Sequence, residues 1–333
     1  MKTAILFVIM LLVLVIPHEL GHMIVAKLVG VKVNEFSVGM GPLLLKTKKG
    51  ETQYSLRLLP LGGFCSLEGE EESSDDERAY NNKNPLQKIA ILLAGVTMNV
   101  LIAIVVMTIA AAITGVPTNK IASVSKSSPA YEAGIRSGDQ IIEINGEKTS
   151  SWEAVTQKIS DYKEGDMIIS VKQDRDTKTF TLRPDYDKEN GRYVIGVVSS
   201  ITKNPLSSLK YGIKSTWNLS KMMIKALQDI FSRGINKNDV SGPVGLVRIV
   251  GETQSYGISA YLVLLALVSL NLALFNIIPI PGLDGGKIFF VFLKIISGGR
   301  IGDEMEYKAT LVGMVILISL FIFVTINDVR NLF

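Results

Sequence analysis

Five consecutive residues near the start of the chain have the types and spacing of a metal-dependent hydrolase site. They are His18-Glu19-Leu20-Gly21-His22, and His18 and His22 are the only two histidines among the 333 residues. Side chains four positions apart lie on one face of a helix, so both imidazoles could bind one metal ion while Glu19 stays beside it as a general base. The spacing therefore predicts the chemistry of a zinc hydrolase.

The apolar surroundings of this motif favour a functional role. Residues 3–17 carry no charge, Glu19 is the first acidic residue, and the next is Glu35. Ionisable groups inside a membrane-length apolar segment are costly and usually functional. The alternatives are incidental histidines in a helix or the apolar part of a cleaved signal peptide. No small-residue cleavage site follows Pro17, which disfavours the signal peptide.

The composition indicates a membrane protein with one polar insertion. Hydrophobic residues make up 47% of the chain and charged residues only 20%. A bilayer-crossing helix needs roughly 20 apolar residues. Four stretches satisfy this requirement: 3–28, 89–116, 259–283 and 309–326. Between the second and third lies a polar insertion, 118–251.

The positions of Lys and Arg predict how the chain is oriented. Of the segments next to the predicted spans, those after the first and third spans, up to residue 88 and from 287 to 308, carry many Lys and Arg, whereas only Lys2 precedes the first span. The insertion is too long for its own charges to decide the orientation. Cytoplasmic loops carry the excess of basic residues. We therefore expect residues 29–88 and 287–308 to lie in the cytosol, and both termini and the insertion to lie outside.

Zinc bound by two histidines and a water still needs one protein ligand. The candidates are carboxylates or Cys65, and Cys65 is alternatively a small buried residue. Asp284 is the first acidic residue after Glu252 and follows two prolines that must open the third helix. A zinc ligand explains a carboxylate at this depth, and a helix-capping carboxylate is the alternative. The predicted orientation puts His18, His22 and Asp284 at similar depth near the cytosolic face.

Two further features lie between and within the predicted spans. Residues 36–68 are rich in apolar side chains, and apolar and polar residues alternate on both sides of a Lys49-Gly50 turn. This pattern predicts a β-hairpin. Irregular backbone at membrane depth must pack on protein or line a cavity. We expect a membrane-associated hairpin whose edge at residues 43–58 adds a peptide strand, with an ordinary surface hairpin as the alternative. Asn99, in the second span, either packs between helices or touches the catalytic centre.

The polar insertion contains a small β-rich module. The pattern that runs from Ser128 to Asp139, followed by Ile141-Ile142-Glu143-Ile144-Asn145-Gly146, resembles bacterial PDZ domains. Such domains bind peptides beside an edge strand. In residues 206–231 apolar side chains are interspersed with Lys and Asp, which predicts an amphipathic helix on the outer membrane surface or against the insertion.

Together, the histidine motif, the segment from Asn276 to Gly285 and the PDZ-like insertion resemble the site-2 protease family, most closely the bacterial regulator of sigma-E protease group in a single-PDZ form. The resemblance implies Zn²⁺ bound by His18, His22 and Asp284, with Glu19 as the catalytic base and Asn276 holding the substrate backbone. It also implies a location in the bacterial cell membrane. The implied substrates are membrane proteins, which are single-pass helices such as anti-sigma factors or signal-peptide remnants, trimmed beforehand by another protease. Two positions depart from the family pattern. Val96 stands where proline is frequent, and Lys287 stands where histidine is frequent.

The predicted architecture is a polytopic α-helical membrane protein with four transmembrane helices, a membrane-associated β-hairpin and an inserted β-rich PDZ-like domain. Residues 1–117 and 253–333 form the two halves of the protease core, 118–200 the PDZ-like domain, and 201–252 an amphipathic helix and connector. The rival functions are a catalytically silent membrane-anchored PDZ adaptor and a divalent-metal transporter. The sequence shows no basic groove with stacking aromatics, so we expect no nucleic-acid partner.

Overall fold

The computed structural model describes residues 2–70, 72–173, 176–234, 242–298 and 300–330. They form two compact units, one built from residues up to 110 and from 209 onward, the other from 111–208. The helices of the first unit are α1 (Lys2–Leu28), α2 (Pro85–Thr114), α5 (Pro205–Arg233), α6 (Pro243–Gln254), α7 (Ile258–Ile277), α8 (Asp284–Ile296) and α9 (Asp303–Arg330), with α2 and α5 each sharing one end with the second unit.

Four helices in the described part of the chain are long and apolar enough to cross a membrane: Lys2–Leu28, Pro85–Thr114, Ile258–Ile277 and Glu304–Arg330. Helix α2 begins four residues earlier than predicted because Asn84 caps it. The Gln87 amide donates to Asn84 Oδ1 at 2.9 Å, and the Asn84 amide donates to Gln87 Oε1 at 3.2 Å. Helix α7 ends at Ile277, six residues earlier than predicted, because Pro279 and Pro281 cannot continue it.

The core of the first unit lies where α1, α2, α6 and α7 meet. Hydrogen bonds join α7 to both α1 and α2. Tyr261 Oη donates to the Leu6 carbonyl at 2.8 Å, and Ser269 Oγ donates to the Asn99 carbonyl, also at 2.8 Å. The buried apolar residues that fill the interface are Met10, Leu14, Ala103, Val106, Met107, Val250, Leu265, Ala266 and Leu270.

Between α1 and α2 lies the predicted hairpin, formed by β1 (Val33–Lys49) and β2 (Thr52–Leu67). Lys49 pairs with Thr52 around Gly50, as the sequence predicted. Both strands also bend at glycines with left-handed φ angles, 86° at Gly39 and 89° at Gly62. As a result residues 35–38 pair with 63–66 on one side and with 53–56 on the other. The two strands form four short segments, and 62–67 and 43–49 are the two edges.

The hairpin is buried at its base and exposed at its far end. Val33, Phe36 and Leu67 pack with Met23 of α1 and with Tyr80, which lies in a short 3₁₀ helix (Tyr80–Asn82). The far end exposes seven large apolar side chains: Met40, Leu43, Leu44, Leu45, Leu56, Leu58 and Leu59. Contiguous apolar exposure of this kind marks a surface that contacts lipid or another protein.

The second unit is a β-sheet with two short helices. Its elements are β3 (Val116–Val124), α3 (Pro129–Ala133), β4 (Gln140–Ile144), β5 (Glu147–Lys148), α4 (Trp152–Ser160), β6 (Met167–Gln173), β7 (Asp176–Leu182), β8 (Asp185–Asp187), β9 (Arg192–Val194) and β10 (Val197–Thr202). The main sheet has the order β10-β3-β4-β6-β7. Asn145-Gly146 forms the tight turn between β4 and β5, as predicted. Ile121, Ile141 and Ile169 lie in the aliphatic core.

Candidate metal centre

Three side chains from two distant parts of the chain meet among the apolar helices of the first unit. His18 Nε2 lies 3.3 Å from His22 Nε2, and Asp284 Oδ2 lies 3.4 Å from each of these nitrogens. Both histidines are buried, and the Asp284 side chain is only 16% exposed. This set is the group of possible metal ligands found in the described residues.

The local sequence explains how Asp284 reaches helix α1. The chain leaves α7 after Ile277, and α8 begins at Asp284 itself. A Cβ at Gly285 would collide with the carbonyls of Ile277 and Ile278, and a Cβ at Gly286 with the carbonyl of Ile280. The two glycines therefore allow the first turn of α8 to fold back against the end of α7, which brings the carboxylate to the histidines.

Helix α2 packs against the two histidines of the metal centre. A Cβ at Gly95 would lie 2.6 Å from His18 Cε1 and would also collide with His22 Nε2. One turn earlier, the Ile91 carbonyl lies 2.8 Å from His22 Nδ1. An imidazole that donates its Nδ1 hydrogen to a carbonyl keeps the Nε2 lone pair free for a metal.

Asn99 lies one turn after Gly95 and is fully buried. Its side-chain amide is 3.2 Å from His18 Nδ1, while its main-chain carbonyl accepts the bond from Ser269 described above. Both roles that the sequence left open therefore occur at this residue: the side chain touches the centre, and the backbone joins two helices.

The other candidate residues lie around the same point. Glu19 is partly buried on α1 and interacts electrostatically with His18, His22 and Asp284. A Cβ at Gly63 of β2 would lie 3.7 Å from Glu19 Cγ, so the hairpin passes directly beside this carboxylate. Asn276, at the end of α7, has Nδ2 at 3.4 Å from His18 Nε2.

Cys65 was the alternative third ligand, and it is not part of the converging group. It is half-buried in the hairpin and pairs with Phe36 across the sheet. Its position agrees with the other interpretation, a small side chain packed in the sheet.

The residues present fit a zinc ion. Ligands at about 2.0–2.1 Å from a tetrahedral ion lie about 3.3–3.4 Å from one another, which matches the three separations in the structure. Asp284 Oδ2 is buried and accepts no hydrogen bond within the described part of the chain. Two imidazole lone pairs and a carboxylate that face one another at this distance are stabilised by a shared cation.

The acidic run at 68–77, to which the sequence assigned no role, contributes an ion pair close to the centre. Glu70 Oε1 lies 2.7 Å from Nζ of Lys287, which is one helical turn after Asp284. Glu68 accepts hydrogen bonds from Ser74 at 2.7 Å, Lys32 at 3.0 Å and Asn34 at 3.1 Å. These bonds lower the pKa of Glu68 to about 2. Glu70 and Lys287 are 217 residues apart, so no local pattern could have paired them.

A buried group of two histidines and an aspartate, carried by apolar helices, defines a membrane protein with a metal site. The family model of Peptidase family M50 matches residues 6–320, and the chain belongs to this family, which confirms the resemblance to the site-2 proteases. The chain is 36% identical to a protein of Clostridium acetobutylicum named "Putative zinc metalloprotease", over 95% of this chain and 94% of that protein. It is a zinc metalloprotease, and Zn²⁺ is its cofactor.

Two further similarities concern the full chain and the β-rich unit. The regulator of sigma-W protease RasP of Bacillus subtilis is 28% identical over 100% of this chain and 99% of that protein. The PDZ domain of an SdrC-like protein from Listeria monocytogenes is 25% identical and covers 26% of this chain and 86% of that chain, with a TM-score of 0.22.

Proposed function

We propose that this protein hydrolyses peptide bonds within or near the transmembrane segments of other membrane proteins, with zinc held by His18, His22 and Asp284. The observation that carries the proposal is the 3.3–3.4 Å triangle of two imidazole nitrogens and one carboxylate oxygen, built among helices of membrane-crossing length. A silent PDZ adaptor has no need of such a triangle, so the adaptor alternative is disfavoured.

In this proposal Glu19 is the catalytic base. A bound zinc ion lowers the pKa of a water towards about 7 and polarises a peptide carbonyl. Glu19, on the same helix as both histidines, takes the proton from the attacking water and delivers it to the leaving amine. The Asn276 amide, beside His18 Nε2, is positioned to donate a hydrogen bond to the substrate backbone.

A helical substrate must unwind before its peptide bond can be attacked, because intrahelical hydrogen bonds shield it. We propose that the freed backbone pairs with the edge segment 62–67, since Gly63 lies beside Glu19 and the edge presents unpaired backbone groups. The sequence had suggested residues 43–58 for this role, but residues 43–49 form the opposite edge. The exposed leucines at the far end support insertion of the hairpin at membrane depth.

The orientation and the role of the β-rich unit are also proposals. The basic loops favour an active site near the cytosolic face, with the termini and the PDZ-like unit outside. We propose that this unit screens substrates that another protease has already shortened. We propose anti-sigma factors or signal-peptide remnants as the substrate class, as the family resemblance implies, and the similarity to a protein named regulator of sigma-W protease supports the first of these.

The catalytic assignment is tested with Glu19→Gln in the purified full-length protein. We expect peptide cleavage to fall about 10²- to 10⁴-fold, because the base is lost, while zinc content stays that of the native protein. Comparison of the membrane peptides in cells that carry the native chain or this variant identifies the substrate. Undiminished cleavage by Glu19→Gln would remove Glu19 from its proposed role.

The screening role is tested by deleting the PDZ-like unit. Val116 and Thr202 are paired across the β3–β10 ladder, so a short Gly-Ser linker can join Gly115 to Lys203. The probes are a single-pass substrate with an intact outer domain and the same substrate trimmed. The deletion should allow cleavage of the intact substrate, whereas unchanged selectivity in a zinc-loaded deletion protein would contradict the screening role.

A further inference from the structure

Helix α2 presents three residues to the two imidazoles at a regular spacing. Ile91, Gly95 and Asn99 are each four residues apart, so they form one stripe along the helix. The Ile91 carbonyl bonds His22, Gly95 leaves room for both rings, and Asn99 meets His18. The stripe runs alongside the pair of histidines, which are also four residues apart.

The placement of the Asn99 amide conflicts with a zinc ligand at His18. Nδ2 is the atom that faces His18 Nδ1, and an amide nitrogen can only donate. Nδ1 would then be the acceptor, and a neutral ring would carry its proton on Nε2. Yet Nε2 is the atom that lies 3.4 Å from Asp284 and 3.3 Å from His22 Nε2. A protonated Nε2 has no lone pair for a metal.

A rotation of the amide by 180° removes this conflict. The oxygen and nitrogen of an asparagine amide have nearly the same shape, so their assignment depends on the hydrogen-bond network. Asn99 Oδ1 is buried and has no hydrogen-bond partner within the described residues, so the rotation breaks no bond at that atom. It brings Oδ1 to His18 Nδ1, where it accepts the Nδ1 hydrogen.

We propose that Asn99 is a positioning residue for the zinc ligand His18. Its Oδ1 accepts the hydrogen of Nδ1, which fixes the ring orientation and the tautomer with a free Nε2 lone pair. The Ile91 carbonyl does the same for His22. Helix α2 therefore orients both imidazoles of α1 without binding the metal. This inference rests on the ligand set proposed above.

The experiment measures zinc affinity by chelator competition with purified full-length protein in detergent. Asn99→Leu keeps the size but loses the acceptor, and we expect a 10- to 100-fold weaker affinity, the usual cost of losing such a partner. Asn99→Asp keeps an acceptor oxygen and should stay within about threefold of the native affinity. Ser269→Ala, which removes the bond to the Asn99 backbone, should leave zinc affinity unchanged.

Two further measurements distinguish a positioning role of Asn99 from a packing role, and test the ligand set separately. The metal-free Asn99→Leu protein should melt at the same temperature as the metal-free native protein, because the bond from Ser269 to the Asn99 backbone is kept. A lower melting temperature would assign the loss of zinc affinity to packing and would overturn the inference. A loss of affinity in Asn99→Asp as large as in Asn99→Leu would overturn the inference, because it would show that the Asn99 nitrogen is the required group. Native affinity in Asn99→Leu, with binding abolished in Asp284→Ala, would overturn the role of Asn99 alone. Native affinity in Asp284→Ala would overturn the ligand set.

Discussion

The two units of this protein both bury apolar cores, but they differ in what they expose and in which polar groups they bury. In the β-rich unit the interior is aliphatic, and Ile169 is fully buried while its neighbour Ile168 is 47% exposed. In the helical unit the outside is apolar, with Val315 and Phe323 of α9 about two-thirds exposed. The buried polar residues at its centre are His18, His22, Asn99, Ser269 and Asn276.

This difference in exposed side chains indicates whether water or lipid surrounds each unit. A surface helix in water turns its apolar side chains inward, whereas a helix in lipid can leave them outside and concentrate its polar groups where they act. The β-rich unit therefore depends on its core packing, and the helical unit holds its chemistry in a few buried polar contacts. Substitutions should affect the two units differently.

The largest expected effect is on the stability of the β-rich unit. Ile169→Ala leaves a cavity in the aliphatic core and should lower the free energy of unfolding of this unit by about 2–5 kcal/mol. Ile168→Ala, on the other face of the same strand, should change it by less than about 0.5 kcal/mol. Amide hydrogen exchange in β4 and β6 measures both. Equal effects of the two variants would contradict the inside-outside pattern of β6.

In the helical unit a single methyl group should impair metal binding. Gly95→Ala places a Cβ against both imidazoles, so we expect zinc affinity to fall about 10- to 100-fold, with a parallel loss of cleavage. Gly302→Ala, where a Cβ would meet no atom of the described residues within 4 Å, is the matched control. Chelator competition gives both affinities. A Gly95→Ala protein with native zinc affinity would show that α2 does not confine the histidines.

The ion pair between Glu70 and Lys287 should contribute less, because both side chains are partly exposed. Loss of either charge should cost about 1 kcal/mol, between the values for exposed and buried pairs. The double variant, Glu70→Lys with Lys287→Glu, restores the pair with its charges exchanged and should recover much of this loss. The native protein, Glu70→Lys, Lys287→Glu and the double variant form one double-mutant cycle, and thermal melting of these four proteins gives the coupling energy. A coupling energy of zero would show that the loop and α8 are not joined through this pair.

The smallest effect concerns the acidic loop at low pH. Because the pKa of folded Glu68 is lowered from 4.5 to about 2, its bonds stabilise the loop fully above about pH 4.5, and this stabilisation is lost as the pH falls towards 2. Limited proteolysis with an acid-active protease should show the loop opening over this range. Glu68→Gln should remove the pH dependence, and an unchanged profile in that variant would assign the transition to another group.

Local signals were enough to predict much of the fold. Charge-free apolar runs predicted the four long helices, and Lys49-Gly50 and Asn145-Gly146 predicted two turns that the structure contains. The sequence also suggested that His18, His22 and Asp284 would meet, and the structure brings their ligand atoms within 3.4 Å. These features follow from local hydrophobicity, turn chemistry and the cost of an isolated charge.

The features that sequence reasoning missed are set by contacts between distant residues. Helices α6 and α8 are short and adjoin long apolar helices, so their own signals were hidden. The bends that fold the hairpin into four segments depend on pairing across the sheet. Asn99 gave a signal as a buried polar residue in an apolar span, but its partner is 81 residues away. Local periodicity carries no information about such a pair.

X-ray absorption at the zinc edge of the purified protein tests the central claim most directly. The proposed ligand set predicts nitrogen and oxygen neighbours at about 2.0–2.1 Å, the signature of two imidazoles, and a changed first shell or lost zinc in Asp284→Ala. A sulfur neighbour at about 2.3 Å, or a zinc shell that Asp284→Ala leaves unaltered, would contradict a centre built by His18, His22 and Asp284.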